Sequence, residues 1–192
     1  MVFSGIDCVM NSEPAIYCSS ELTTGLRLYE AFRKYQVKSV SELKEQAGDK
    51  WVETNVWNVN IKSANEFASS VRHSLIENTS VITPAPFLAP GWSPPEYLAF
   101  WETLIRTRVR AVRFNRNWQF SNGCTFEFLV AQDAGVSTFD SSGHVLDLRA
   151  GIKLVETAAQ QLEASDFDTT RLRENLRFLH KLLPHMSEAY PV

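Results

Sequence analysis

The chain has 192 residues, of which 44% are hydrophobic and 21% are charged, and its formal net charge is −3. This length and composition predict one globular domain, residues 1–192, rather than a disordered segment. The negative net charge argues against a nucleic acid polymer as partner, because such proteins neutralise phosphates with lysine and arginine. An apolar run of about 18–20 residues, which would span a bilayer, is missing, so no membrane association is expected.

Cysteine and histidine usage gives no sign of a metal or cofactor. Cys8, Cys18 and Cys124 are odd in number and lack metal-ligand spacing, which argues against a disulfide framework and a zinc site. The first 14 residues lack the basic start and apolar block of a signal peptide. We therefore expect a reduced, cytoplasmic protein with no cofactor and no metal.

In the first half of the chain, short apolar segments alternate with amphipathic helices. Residues 15–18 predict a buried strand. The helix that follows has an apolar face made of Leu28, Ala31, Phe32 and Tyr35. Ser39 with Glu42, and Ser63 with Glu66, have the spacing of capping boxes and predict two further helix starts.

The alternation continues in the second half. Residues 81–83, 109–114 and 136–139 predict three more strands. A helix is expected to begin at Ser93, where two prolines and a glutamate follow, and another to carry Phe126, Leu129 and Val130. Two amphipathic helices are predicted in the last part of the chain, about residues 147–188, the second after an Asp168 cap.

Strands separated by helices indicate an α/β fold with a parallel, doubly wound sheet of the flavodoxin or Rossmann type. We expect its core at about residues 14–140, with the two last helices as a C-terminal addition. Such sheets bind ligands beyond the carboxyl ends of their strands. The segments expected there are residues 17–20, 83–92, 115–123 and 139–144.

Residues 115–135, NRNWQFSNGCTFEFLVAQDAG, carry the main functional signal. A strand end and a polar turn precede a helix with Glu127 in its first turns, where the helix dipole is expected to keep the carboxylate ionised. Ser121 and the backbone amides around Gly123 suit an anion in the same way. A carboxylate here also has a purely structural interpretation, since it stabilises a helix by about 0.3–1 kcal/mol.

The spacing Trp118-x-x-Ser121-x-Gly123-x-x-x-Glu127-x-x-x-Ala131-x-x-x-Gly135 resembles the nucleoside 2-deoxyribosyltransferase-like superfamily, which includes nucleotide N-glycosidases. The resemblance covers about residues 14–140. Three other segments resemble the family's first three strands: Ile16-Tyr17-Cys18-Ser19-Ser20, Val81-Ile82-Thr83-Pro84 and Val109-Arg110-Ala111-Val112.

The resemblance implies cleavage of the N-glycosidic bond of a nucleoside or nucleoside 5′-monophosphate, by hydrolysis or by deoxyribosyl transfer. Glu127 would be the nucleophile, oriented by Tyr17, and Glu102 or Glu96 would protonate the leaving base. Groups expected to hold the phosphate, sugar or base are Ser19, Ser20, Phe87, Trp92, Trp118, Ser121 and Gly123. The structural alternatives are helix capping for Ser20 and Ser121, a buried core position for Tyr17, and core or lid packing for the three aromatic side chains. The family's association through helices implies a homo-oligomer.

The chain departs from the family pattern in two places. Arg110 stands where the family usually has aspartate, and Asn115-Arg116-Asn117 replaces an acidic residue or proline. Arg110, Arg113 and Arg116 then either face an anionic substrate or lie on a solvated edge. The alternative function is a catalytically silent nucleotide-binding or regulatory module of the same fold. A phosphoribohydrolase is less favoured, because the Pro-Gly-Gly-x-Gly-Thr string of that family is missing.

Overall fold

A computed structural model describes residues 15–75, 79–87 and 89–186. Within these ranges the chain forms a four-stranded, all-parallel sheet with helices on both faces. The strands are β1 (Ala15–Ser19), β2 (Val81–Ile82), β3 (Val109–Phe114) and β4 (Ser137–Phe139). The α/β prediction is confirmed.

The helices of the described residues fall into three groups. Between β1 and β2 lie α1 (Leu26–Tyr35), α2 (Val40–Ala47), α3 (Asp49–Val52), a π-helical turn (Glu53–Trp57) and α4 (Asn58–His73). Between β2 and β4 lie α5 (Pro94–Arg108), a 3-10 turn (Trp118–Phe120) and α6 (Asn122–Asp133). The chain then continues into α7 (Leu148–Glu163) and α8 (Thr170–Met186).

The strand order β2-β1-β3-β4 is that of a flavodoxin-like sheet. The chain first moves from β1 to β2 on one side and then crosses back to β3 on the other side of β1. This reversal creates a crevice between the carboxyl ends of β1 and β3, where doubly wound folds bind their ligands. The segments after Ser19 and Phe114 border that crevice.

The two faces of the sheet bury different partners. Ile16 and Cys18 of β1 pack with Ala68 and Val71 of α4. Since strand side chains alternate, Tyr17 points to the opposite face. There Tyr17 joins the larger core, to which α1, α2, α3, α5, α6 and the C-terminal helices contribute.

Most predicted helix starts are confirmed by their capping contacts. Ser39 Oγ accepts the backbone N–H of Glu42 (3.2 Å), and Glu96 Oε2 accepts the backbone N–H of Ser93 (2.6 Å). Asp168 accepts the backbone N–H of Thr170 (2.9 Å). The C-terminal helices α7 and α8 pack against each other and against α6.

The helix start predicted at Ser63 is wrong. Helix α4 already begins at Asn58 and continues through Ser63 and Glu66, so both are interior residues. The π-helical turn joins α4 to α3 without a break, and this continuity replaces the cap. Ser63 Oγ instead accepts a hydrogen bond from Asn115 Nδ2 (3.4 Å). The predictions on residues 1–14, Cys8 among them, and on residues 187 and 188 lie outside the described residues.

Candidate functional site

Glu127 is the centre of the candidate site. Its side chain projects from α6 toward β1 and is only 6% exposed. The Tyr17 hydroxyl donates to Glu127 Oε1 (2.7 Å), and the Ser19 hydroxyl donates to Oε2 (2.6 Å). Tyr17 and Ser19 are two residues apart on one strand and therefore share a face. The strand period thus brings two hydroxyl donors to one carboxylate.

The environment of Glu127 corrects the expectation that the helix start keeps it ionised. Glu127 is the sixth residue of α6 and lies beyond the first turn, where the helix dipole acts. Burial raises the pKa of Glu127 from 4.5 to about 7, although the hydrogen bonds from Ser19 and Tyr17 oppose the shift. The carboxyl group therefore changes protonation state near neutral pH, a property of groups that exchange protons during catalysis.

Polar contacts also join the segment after β1 to the start of α6. Ser121 caps this helix: its hydroxyl accepts the backbone N–H of Cys124 (3.4 Å) and lies 3.2 Å from Thr24 Oγ1. Burial and Glu127 raise the pKa of the Cys124 thiol, while the hydroxyls of Ser19 and Ser121 oppose the shift. The thiol is therefore kept neutral, and these groups join the segment after β1 to α6.

Ser20 and Gly123 have features that packing alone does not explain. Ser20 is 5% exposed, and its hydroxyl has no hydrogen-bond partner within the described residues. Buried hydroxyls are normally paired, so this group suits a bound ligand or water. At Gly123 an added Cβ would lie 3.9 Å from Ser121 Oγ, an ordinary contact. The space around Gly123 therefore does not require glycine.

Glu21 belongs to the same region, although it is not among the residues that the sequence predicts for the site. Its Oε2 accepts the backbone N–H of Leu26 (2.8 Å), at the start of α1. Burial raises the pKa of Glu21 to about 7, with the Leu26 N–H and Arg27 opposing the shift. Glu21 also raises the pKa of the Cys124 thiol, as Glu127 does. Glycine at position 25, four residues after a glutamate, was the available signal.

Two of the predicted aromatic residues belong to a cluster that reaches Tyr17. The Tyr17 ring lies 5.6 Å from Trp101, which lies 5.2 Å from Phe87. Phe87 in turn lies 5.8 Å from Trp92 and stacks on Phe100. Both Phe87 and Trp92 are half-buried, so the loop after β2 is held against α5 near the site.

Trp118, expected to stack on a base, lies in the core. Its side chain is 4% exposed and packs against Phe114 (4.7 Å) and Phe128 (4.9 Å). The 3-10 turn after β3 folds the indole back under α6. Its contacts are those of a residue that supports the turn before Ser121.

The other predicted charged residues are engaged elsewhere. Arg106 pairs with Glu102 (3.0 Å) on the same helix and with Asp133 (2.7 Å). Glu96 is used in the helix cap of α5, whose hydrogen bonds lower its pKa. Arg110 is exposed and donates to Thr79 Oγ1 (3.4 Å).

Arg113 and Arg116 are not held near Glu127. Arg113 and Val112 are neighbours in β3, so their side chains point to opposite faces of the sheet. Val112 lies on the same face as Tyr17, and Arg113 therefore lies on the α4 face. There it donates to Ser74 Oγ (3.4 Å) and lowers the pKa of Cys18, which burial raises. Arg116 is exposed in the turn after β3.

Two kinds of feature are absent from the part of the chain that the structure describes. No three His, Cys, Asp or Glu side chains within residues 15–75, 79–87 and 89–186 converge to hold a metal ion. Over the same residues, no helix is both long and apolar enough to cross a membrane.

Comparisons with protein-family models, with curated proteins and with solved structures find no match to this chain.

Proposed function

We propose that this protein cleaves the N-glycosidic bond of a nucleoside or nucleoside 5′-monophosphate, as a hydrolase or as a deoxyribosyltransferase. The observation that carries the proposal is the Glu127 carboxyl group, buried beside the crevice between β1 and β3 and bound by Tyr17 and Ser19. The resemblance to nucleoside 2-deoxyribosyltransferase-like proteins supports the same residue as the nucleophile.

Glu127 in its ionised form attacks C1′ of the sugar. The bond from C1′ to the base nitrogen breaks and its electron pair leaves with the base, while a Glu127 oxygen becomes bonded to C1′. Water, or a second base in the transfer reaction, then displaces Glu127 from C1′. The hydrogen bonds from Tyr17 and Ser19 orient the carboxylate and stabilise its charge before the attack.

Substrate recognition follows from the groups around Glu127. The unpartnered hydroxyl of Ser20 and the hydroxyls of Thr24 and Ser121 suit a sugar hydroxyl or a 5′-phosphate. Phe87 and Trp92 border the same region through their contacts with Trp101 and supply apolar surface for a base. The proposed reaction uses no metal or cofactor.

A cytoplasmic location and a homo-oligomer complete the proposal. Leu154 of α7 and Phe178 of α8 are large apolar side chains with 40% and 44% exposure, respectively, so each C-terminal helix leaves apolar area open to a second copy. Light scattering at micromolar concentration should give the mass of at least a dimer. A monomeric mass would exclude the oligomer and leave the reaction untouched.

The decisive experiment compares wild type with Glu127→Gln on a panel of nucleosides and their 5′-monophosphates, with free base measured by mass spectrometry. Gln keeps the size of the side chain but cannot form the glycosyl bond, so base release should fall by about 10³-fold or more. Glu45→Gln, at an exposed position of α2, is the control for loss of one carboxylate. Unchanged release by Glu127→Gln would refute the proposal. Adding an acceptor base separates transfer from hydrolysis.

A silent nucleotide-binding module is the second candidate. The ion pair between Glu102 and Arg106, and Arg110 where the family has aspartate, remove two acids that the family's reaction would use. Calorimetry with the same panel tests this alternative. Tight binding of a nucleotide with no base released over hours would favour the module over the enzyme.

A further inference from the structure

We infer that Glu21 is the proton donor to the leaving base, an inference that rests on the proposed N-glycosidic cleavage. Glu96 and Glu102, the carboxyl groups expected in this role, are used in a helix cap and in an ion pair. Glu21 lies two residues after Ser19, which binds the nucleophile Glu127. It therefore belongs to the segment that borders the crevice.

The segment that carries Glu21 is fixed at three points. The Asn60 side chain, 2% exposed on α4, donates to the backbone carbonyl of Leu22 (2.9 Å). Thr24 Oγ1 lies 3.2 Å from Ser121 Oγ on α6. Glu21 Oε2 itself accepts the Leu26 N–H (2.8 Å). These contacts hold the carboxyl group in one place, as a proton donor must be held.

Gly25 makes the position of Glu21 possible. Its φ of +134° lies in a region that favours glycine, and an added Cβ would lie 1.9 Å from Glu21 Oε2 and 2.7 Å from Glu21 Cδ. The Glu21 carboxyl group thus lies directly against the bare backbone of Gly25. A side chain at position 25 would displace it.

One oxygen of Glu21 remains available for a ligand. Oε2 is used by Leu26, whereas Oε1 makes no hydrogen bond within the described residues. Burial raises the pKa of Glu21 to about 7. The Leu26 N–H and Arg27 oppose this shift, whereas the negative charge of Glu30 adds to it. A good part of the carboxyl population therefore carries a proton at neutral pH, as a general acid requires.

The proposed step balances as follows. As the bond from C1′ to the base nitrogen breaks, Glu21 gives its proton to the base and becomes a carboxylate. Glu127 is then bonded to C1′, and the base leaves neutral. Water next attacks C1′, its proton passes to Glu21, and the bond between C1′ and Glu127 breaks. Glu21 ends protonated and Glu127 ends ionised, as they began.

The test uses guanosine and 7-methylguanosine, together with the 2′-deoxy and 5′-phosphorylated forms of each. The methyl group already gives the base the positive charge that protonation would supply, so its departure needs no acid. Glu21→Gln keeps an oxygen for the Leu26 N–H but lacks an acidic proton. In this variant the rate of base release should fall about 100-fold or more on the unmethylated substrate and less than about fivefold on the methylated one.

Controls separate this inference from the proposed function. Glu127→Gln should lose base release from both the methylated and the unmethylated substrate, and Glu45→Gln should keep both. Both rates are measured on one sample, so partial unfolding cancels in their ratio; if Glu21→Gln does not fold, Gly25→Ala displaces the same carboxyl group and should change the ratio in the same direction. The deciding quantity is the ratio of the rate on the methylated substrate to the rate on the unmethylated one. If Glu21→Gln leaves this ratio at the wild-type value, Glu21 is not the proton donor, whereas the role of Glu127 is unaffected. The same holds for Gly25→Ala where that variant replaces Glu21→Gln. Wild type that releases no base from these substrates or from any nucleoside or nucleotide of the wider panel would overturn both roles.

Discussion

The two faces of strand β1 are equally buried but chemically opposite. Toward α4, Ile16 and Cys18 belong to an apolar cluster with Ala68 and Val71. Toward α6, Tyr17 and Ser19 place two hydroxyls on one carboxyl group. One strand thus contributes to an apolar cluster on one side of the sheet and to a buried polar network on the other.

The difference indicates which face serves function. An apolar face gains free energy simply by leaving water, about 25 cal/mol per Å². A buried carboxyl group loses hydration, and the raised pKa of Glu127 shows that its two hydrogen bonds do not fully compensate. Stability alone does not favour such a residue, so the polar face is where we expect the chemistry.

Ile16→Ala tests the apolar face and should have the largest effect on stability. Ile16 is 5% exposed, and truncation leaves a cavity against α4, so the free energy of unfolding should fall by about 2–5 kcal/mol. Urea denaturation measures this loss. Base release per folded molecule should stay within about twofold of wild type, because Glu127 lies on the other face. A large loss of specific activity would show that the two faces are coupled.

Glu127→Gln tests the polar face of β1 through the pH dependence of the free energy of unfolding. Because the folded pKa is raised from 4.5 to about 7, this carboxyl group contributes stability that is present below pH 4.5 and is lost as pH rises through about 7. Unfolding of wild type should therefore become easier across this window, by on the order of 3 kcal/mol from this group.

The Gln variant lacks that titration, so its pH profile should be flatter. Glu21, which has a similar raised pKa, keeps part of the slope in both proteins. Urea denaturation at several pH values measures the difference between them. Parallel profiles for the two proteins would mean that Glu127 does not titrate near pH 7.

Local sequence patterns predicted the frame of the molecule. The strands are short apolar runs, and the caps at Ser39, Ser93 and Ser121 depend on neighbours within a few residues. Glu127 and Tyr17 were found together through a resemblance, although 110 residues separate them. The strand alternation then explains why Ser19 joins them.

Properties that depend on tertiary packing were not predictable. The protonation of Glu127 depends on burial rather than on its place in α6. The sequence left both base stacking and core packing open for Trp118, and the 3-10 turn buries it. The position of Glu21 requires the bare backbone of Gly25 and the fixed Leu22 carbonyl. Gly25 is visible in the sequence, but its contact with the Glu21 carboxyl group and the bond from Asn60 to the Leu22 carbonyl depend on the folded chain.

Tyr17→Phe is the smallest change on the polar face and removes one atom. The ring should keep its packing against Trp101, while Glu127 Oε1 loses the donor at 2.7 Å. Loss of one hydrogen bond to a charged group costs about 1.5–3 kcal/mol, so base release should fall roughly 10- to 100-fold.

The matched control is Tyr29→Phe in α1. Tyr29 is also buried, at 6% exposure, but its ring packs against Phe32 and Phe167. Initial rates at saturating substrate should be unchanged in this variant and reduced in Tyr17→Phe. Equal rates for the two variants would mean that the Tyr17 hydroxyl only fills space. A loss of activity in Tyr17→Phe but not in Tyr29→Phe would show that the Tyr17 hydroxyl acts on the Glu127 carboxylate during the reaction. The polar face of β1 would then contribute to activity and not only to the stability of the fold.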